Sequence, residues 1–304
     1  MKQNTKMTLP YICLAILLCI LFGSNAVAVK ISFNGFGLLS TAALRFSISV
    51  LLILLWIIVS RRSFKIEKEY LKKSFVVSLI FSAQVCFMFA GINNTTASRA
   101  TLLINLQPFF VLILSHLFIA GDRITFRKLL GMIIGFCGLL SMFVFTKNTA
   151  ADFMAGDVLM ITAAMLWACN VIYLKSFIHN ASVVILTFYH LLLSLPVFIA
   201  GAFIFDDVMF KAVSAQTVCA LLYQAFVTAF GFIAWASLIK KFQASLVHSF
   251  VFILPVSGVL CGILILNEPF AINIVFALIL ISIGILITHY SGKANKGIEG
   301  DFFR

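Results

Sequence analysis

The sequence predicts an all-α integral membrane protein: ten transmembrane helices arranged as two inverted five-helix repeats. Three observations predict this. With 62% hydrophobic and 11% charged residues and a mean hydropathy of +1.14, the chain lacks the polar surface that a globule in water must present. Ten runs come close to the ~20 apolar residues that bridge the hydrocarbon core of a bilayer. They are 9–29, 38–60, 74–92, 99–120, 128–146, 155–174, 182–205, 213–239, 243–266 and 270–289. Finally, the rare polar and proline landmarks of the first five runs return, at a nearly constant offset, in the last five.

That offset is first visible in LFGSNAVAVK (21–30) and LWACNVIYLK (166–175), where Phe22 matches Trp167, Asn25 matches Asn170 and Lys30 matches Lys175. It continues through Arg45 and His190, Pro108 and Pro255, Ala97-Ser98 and Ala244-Ser245, Asp122 and Glu268, and Gly138 and Gly284. Apolar helices resemble one another by composition, but these matches fall on their least common residues. The repeats are 1–148 and 149–290, followed by a polar tail, 291–304. Five is odd, so the second copy starts from the opposite face of the membrane. Two inverted units of this kind are the signature of an alternating-access carrier with its site near the midplane.

The charges agree. With a cytoplasmic N-terminus, 17 of the 22 Lys and Arg fall on the cytoplasmic side, four (Lys30, Arg99, Lys147, Lys211) on the other and one, Arg45, inside a span. This is a strong positive-inside bias, and it puts both termini in the cytoplasm. The net charge of +12 therefore reads as topology among membrane lipids, not as a nucleic-acid surface. Lys2, Lys6 and Ala26-Val27-Ala28 give span 1 the look of a secretory signal. Nine further spans and the second copy of the motif argue that it is retained. The seven cysteines stand singly, with no spacing suited to a metal or redox pair.

Taken in order, span 1 carries Asn25 and ends on Lys30; that amine, like Lys175 at the end of span 6, can snorkel to a headgroup layer. Arg45 in span 2 reads as a hydrogen-bonded structural anchor. Gln84 in span 3 maps onto Gly231 of span 8. Span 4 has two polar faces, one with Thr101, Asn105 and Pro108, the other with Arg99, Leu103 and Gln107. Arg99, in its first turn, is either headgroup-bound or an anion-attracting residue at the mouth of a pathway. Span 5 has Gly131-x-x-x-Gly135, which permits close helix contact. In span 6, Trp167 and Tyr173 each stand three residues from Asn170, and so on its face, either facing an organic solute or packing as core. Gln224, Thr228, Gly231 and Trp235 follow one face of span 8, as cavity wall or as packing. Span 9 holds His248, Pro255 and Gly258-x-x-x-Gly262. Pro108 and Pro255 each remove a backbone donor and free the carbonyls of Ile104 and Val251, giving matched kinks that are hinges, gates or static bends.

The segments LFGSNAVAVK, TAALRFSISVLLIL, TTASRATLLINLQPFFVLILSHLFIAGDRIT, GDVLMITAAMLWACNVIYLK and LPVSGVLCGILILNEPF resemble the repeated EamA signatures of the drug/metabolite transporter (DMT) superfamily, in both halves. The resemblance implies a ten-helix carrier of a bacterial inner membrane, of a kind that often exports amino acids and other small metabolites. It also implies a central cavity lined mainly by helices 1, 3, 4, 6, 8 and 9. Two departures touch helix ends: Leu266-Asn267-Glu268 where Leu-Gly-Glu is usual, and Asp122 where Glu is commoner.

The expectation is therefore a secondary active transporter of an amino acid or related small-molecule solute. Asn25, Gln84, Gln107, Asn170, Tyr173, Gln224 and Trp235 are expected to line its pathway, with Arg99 and His248 beside them. Pro108, Pro255, Asp122, Glu268 and Arg45 have gating or structural roles. The alternatives are uptake of a nucleoside-like metabolite such as S-adenosylmethionine, and a non-transporting membrane scaffold. A homodimer is one assembly the sequence allows. No Gly-rich phosphate loop occurs, so ATP is not the direct energy source. No acidic residue lies deep in a span, and the titratable groups there are His116, His190 and His248. No nucleophile–base, metal or paired-carboxylate cluster is legible, so neither catalysis nor a cofactor or metal is expected.

Overall fold

The computed structural model describes residues 7–95, 100, 103–141, 155–266 and 273–289. The expected roles of Arg99 and Glu268, the boundary at 148 and the tail lie outside the described residues. Among those described, the chain is helical, with one isolated bridge between Phe36 and Phe210 and no strand. The helices are α1 (Leu9–Ser32), α2 (Leu38–Val59), α3 (Lys68–Asn93), α4 (Gln107–Phe118), α5 (Phe126–Ser141) and α6 (Ala155–Phe177). There follow α7 (Val183–Phe205), α8 (Ala215–Lys241), α9 (Ala244–His248), α10 (Ile253–Leu266) and α11 (Asn273–His289). A 3-10 turn, Ser249–Phe252, joins α9 to α10. Six helices, α1, α2, α3, α6, α7 and α8, are long and apolar enough to cross a membrane. Large apolar side chains point outward, among them Leu51, Leu55, Leu117, Phe203 and Phe205. The chain is a multi-pass membrane protein.

Most of the packing runs between the two halves, with smaller contacts inside the second half, such as α7 with α8 and α10 with α11. The main pairs are α5 with α11, α3 with α6, α1 with α8, α1 with α10, α2 with α7, α2 with α8, α3 with α7 and α4 with α6, and each joins the first half to the second. In lipid, apolar burial gives helices little reason to associate, so close backbone approach has to. Glycine supplies it at two crossings. A Cβ on Gly284 of α11 would sit 2.7 Å from the Gly135 nitrogen of α5, and one on Gly23 of α1 would sit 2.5 Å from the Leu254 carbonyl of α10.

Both expected kinks have a structural counterpart. Helical residues 103–104 give way to a turn at 105–106 before α4 starts with Pro108 in its first turn. The Leu106 N–H reaches back only three residues, to the Leu103 carbonyl (3.1 Å). In the second half, the 3-10 turn stands just before Pro255. A proline ring displaces the carbonyl four residues earlier, so each break falls where that carbonyl must move.

At one end of the bundle the connection α1–α2 is tied to the connection α7–α8. The Gly37 N–H donates to the Met209 carbonyl and the Lys211 N–H to the Gly35 carbonyl, both at 2.9 Å, while the Phe36 and Phe210 rings meet edge-on. Asp206 caps α2 from outside, its carboxylate accepting from the N–H groups of Leu39 (3.1 Å) and Ser40 (2.6 Å) and from the Ser40 hydroxyl (2.7 Å). Gly37 cannot cap by side chain, and a Cβ there would lie 2.7 Å from the Asp206 carboxyl carbon. Replacing a helix cap by alanine costs about 1 kcal/mol. Asp206→Ala is expected to lower the thermal midpoint in detergent by that equivalent; an unshifted midpoint would show the cap to be idle.

At the opposite end Lys175 departs from its expected place. It does not snorkel: it is 1% exposed, and its Nζ donates to the carbonyls of Ile239 and Phe242. These are orphan acceptors at the C-terminus of α8, where a cation meets the negative end of the helix dipole.

Candidate functional site

The interleaved helices leave a cavity of about 970 Å³ along the bundle axis, from Phe33 and Leu38 at one end to Ile178 and Ile239 at the other. Its wall is mostly apolar and aromatic, with Phe22, Phe46, Phe81, Phe89, Trp167 and Trp235 among the rings that line it. A volume of this order holds a small organic molecule. Both halves supply wall.

Of the residues expected on the pathway, Asn25, Gln84, Asn170 and Trp235 line this cavity. Asn170 also donates from Nδ2 to the Val77 carbonyl of α3 (2.8 Å), so it packs and lines at once. Asn25 keeps a buried Oδ1 with no hydrogen-bond partner. Of the two prolines, Pro255 reaches the wall.

Four expected residues are not on the wall, each for a geometric reason. Tyr173 and Trp167 flank Asn170 symmetrically in sequence, but at 100° per residue they fall about 60° to either side of it. The cavity lies on the Trp167 side, shared by Val171 and Leu174, while Tyr173 packs on Phe177. Gln107 begins α4 after the break has reset the helical register. It is fully buried and donates to His248 Nδ1 (2.8 Å). His248 in turn lies behind the wall, edge-on to Trp235 with ring centroids 5.5 Å apart. Gln224 is sealed in the α1–α8 seam, donating to the Ala28 carbonyl (3.2 Å) and the Ser32 hydroxyl (2.6 Å). Gly231 belongs to the same seam, since a Cβ there would meet the Phe22 ring at 2.6 Å. The polar stripe on α8 therefore divides: Thr228 and Trp235 face the cavity, and Gln224 and Gly231 face α1.

Arg45 also differs from expectation. Its side chain makes no hydrogen bond or ion pair among the described residues, its Nε is buried without a partner, and its guanidinium lies 4.4 Å from the Phe46 ring centroid. It faces the cavity, as does His190, its counterpart in the second half. So α2 and α7 contribute wall in addition to the six helices that the family resemblance implies. Asn105, at the break before Pro108, is a further lining residue. Its signal was legible: three residues before a proline, it shares that proline's face on the polar side of span 4. Asp122 lies off the cavity, between α4 and α5. It accepts from Lys128 Nζ (2.6 Å), from the Ser245 N–H (3.1 Å) and from the Ser245 hydroxyl. At the rim near Ile178, burial and then the charges of Lys175 and Lys240 hold His179 below the ordinary imidazole range. It stays neutral at neutral pH.

The comparisons agree with this architecture. A solved crystal structure superposes with a TM-score of 0.77 over 90% of this chain and 94% of that one, at 17% identity, and so shares the fold. The Escherichia coli (strain K12) "Probable amino-acid metabolite efflux pump" is 25% identical over 94% of this chain and 97% of its own. The Bacillus subtilis (strain 168) "Uncharacterized transporter YoaV" is 25% identical over 91% of this chain and 96% of its own. These names indicate a transporter rather than an enzyme. The model of the EamA-like transporter family matches twice, at residues 9–144 and 154–290, on either side of the offset that the sequence itself displays. The chain belongs to the EamA-like transporter family.

Proposed function

We propose that this protein is a secondary active carrier that moves amino acids or related small metabolites outward across a bacterial inner membrane by alternating access. The observation that carries the reading is the cavity, which runs the length of the bundle and is walled by both halves. The packing supports two inverted five-helix units, with α9, its 3-10 turn and α10 together forming the ninth span and α11 the tenth. Exchanging spans one to five with six to ten turns the α3–α6 pair into α8–α1 and the α4–α6 pair into the ninth span with α1. The α2–α7 and α5–α11 pairs map onto themselves. A structure built this way has two related relaxed states, one open to each side. The end bearing Lys175 and Asp122 is the cytoplasmic one in this reading. Export follows the name of the Escherichia coli relative.

Proteoliposomes preloaded with ¹⁴C-labelled amino acids, and separately with labelled nucleosides, test the reading. Amino-acid flux above that of empty vesicles is expected. Nucleoside flux alone would favour the uptake alternative, and no flux of any solute would leave only a scaffold. Asn25→Leu deletes a polar group that holds no protein partner through Oδ1. It is expected to cut amino-acid flux about tenfold, the equivalent of one lost solute hydrogen bond, while leaving the thermal midpoint in place. Unchanged flux in this variant would remove Asn25 from the pathway.

A further inference from the structure

We propose that Arg45 is the anchor for a solute carboxylate, so that the cavity selects metabolites carrying a carboxylate and rejects their esters and decarboxylated amines. This rests on the carrier reading above and gives it a chemical class. An arginine keeps its proton at neutral pH, and its planar fork matches a carboxylate oxygen for oxygen. A guanidinium inside a membrane protein ordinarily finds a counter-charge. Arg45 has none among the described residues, and none of the residues lining the cavity is acidic. Four acids of the fold are committed elsewhere: Asp122 to Lys128 and Ser245, Asp157 to Thr95, Asp206 to the start of α2, and Glu69 to Lys73. The Phe46 ring under the guanidinium offsets part of the missing solvation and leaves its N–H edge unpaired.

The surroundings narrow the class further. Phe46 meets Phe81 at 5.4 Å, and Phe81 meets the His190 ring at 4.8 Å, so Arg45 and His190 stand on one aromatic ledge. Besides the Ser74 hydroxyl, three wall residues hold a buried polar atom without a partner: Arg45 at Nε, His190 at Nε2 and Asn25 at Oδ1. Two of these atoms can donate, the histidine in one of its tautomers, and a carboxylate accepts from both. The third only accepts, and suits an N–H of the solute. A carboxylate with an N–H donor on the same small molecule answers all three, which is the amino-acid pattern. The anchor and the acceptor come from different helices, α2 and α1, so one solute bridges them.

The test uses the full chain purified in detergent, with the twenty L-amino acids as free acids and as methyl esters, read by the thermal midpoint. At least one free acid is expected to raise the midpoint while its ester does not. Arg45→Gln is expected to abolish that shift and Arg45→Lys, which keeps the charge but not the fork, to retain part of it. In proteoliposomes Arg45→Gln should lower flux of the same acid about tenfold through KM. Equal shifts from acids and esters, no shift from any acid, or a shift that survives in Arg45→Gln would each overturn the anchor. The comparison of acid with ester needs no variant to fold. An acid-specific shift that depends on Arg45, without flux, upholds the anchor and sinks the carrier reading. Flux that Arg45→Gln retains does the reverse.

Discussion

Gly284→Leu is expected to abolish the native bundle, or to lower its stability by about 3 kcal/mol or more, the upper range for overpacking a site that cannot relax. The reason is what the new side chain meets. At the α5–α11 crossing a Cβ on Gly284 runs into the Gly131 carbonyl and lies 2.7 Å from the Gly135 nitrogen and 3.0 Å from its Cα. All of these are backbone atoms, which cannot rotate away as a side chain would. The opposing surface is equally tight, since a Cβ on Gly131 would lie 2.5 Å from the Gly284 carbonyl. The helices would have to part, and α5 is the main partner that α11 has. Ile283→Leu is the control, because Ile283 points outward at 42% exposure. Size-exclusion profiles and thermal unfolding in detergent decide it. A Gly284→Leu protein that elutes and melts with the parent would mean that α5 and α11 do not cross at these glycines.

Asp122→Ala is the second large effect, with an expected loss of about 3–5 kcal/mol, the cost of removing one member of a buried ion pair. Asp122 is fully buried and Lys128 is 7% exposed, so water can replace little of what is lost. Three donors lose their acceptor together: Lys128 Nζ, the Ser245 N–H at the start of α9 and the Ser245 hydroxyl. Gln243 Nε2, which donates to the Gly121 carbonyl (2.6 Å), is left as the neighbouring tie between this turn and α9. The double variant Asp122→Ala/Lys128→Met should regain a large part of the loss, because the stranded charge is gone. A double variant as unstable as the single one would place the cost at Ser245 instead. Thermal unfolding of the three proteins separates the outcomes.

Much of the architecture was legible from residue spacing. The apolar runs predict the helices to within a few residues: Leu9–Ser32 against 9–29, Leu38–Val59 against 38–60, Val183–Phe205 against 182–205. Run length and the absence of alternatives for a backbone in lipid leave little else. The prolines located the two breaks, and the glycine spacing of α5 located its contact with α11. The start of α3 was less legible. It begins at Lys68, six residues before the apolar run, because Lys68 to Lys73 continue the helix beyond its apolar stretch, with Lys73 paired to Glu69 one turn before it.

The site was legible in kind and less so in detail. Asn25, Gln84, Asn170 and Trp235 reach the cavity, but Gln107, Tyr173, Gln224 and His248 do not, and Arg45 and His190 do. In a soluble helix the polar face announces the outside. Here the helices are apolar on the lipid side, in the seams and along most of the cavity wall, so a polar residue marks only that it avoids lipid. Whether it faces a neighbour or the cavity depends on rotations and crossings of other helices.

The sequence alone determined the membrane class, the helix positions, the internal offset and the stock of polar groups, because each follows from chain length, hydropathy and the rarity of polar residues in lipid. Only the tertiary structure decided which of those groups share a cavity. It set Tyr173 aside in favour of Leu174 through a rotation of about 100° in helical phase, drew Lys175 inward to the end of α8, and left Arg45 facing open space. Those outcomes depend on how many elements cross at once, and beyond the glycine spacing of α5 no local pattern in the chain encodes the crossings.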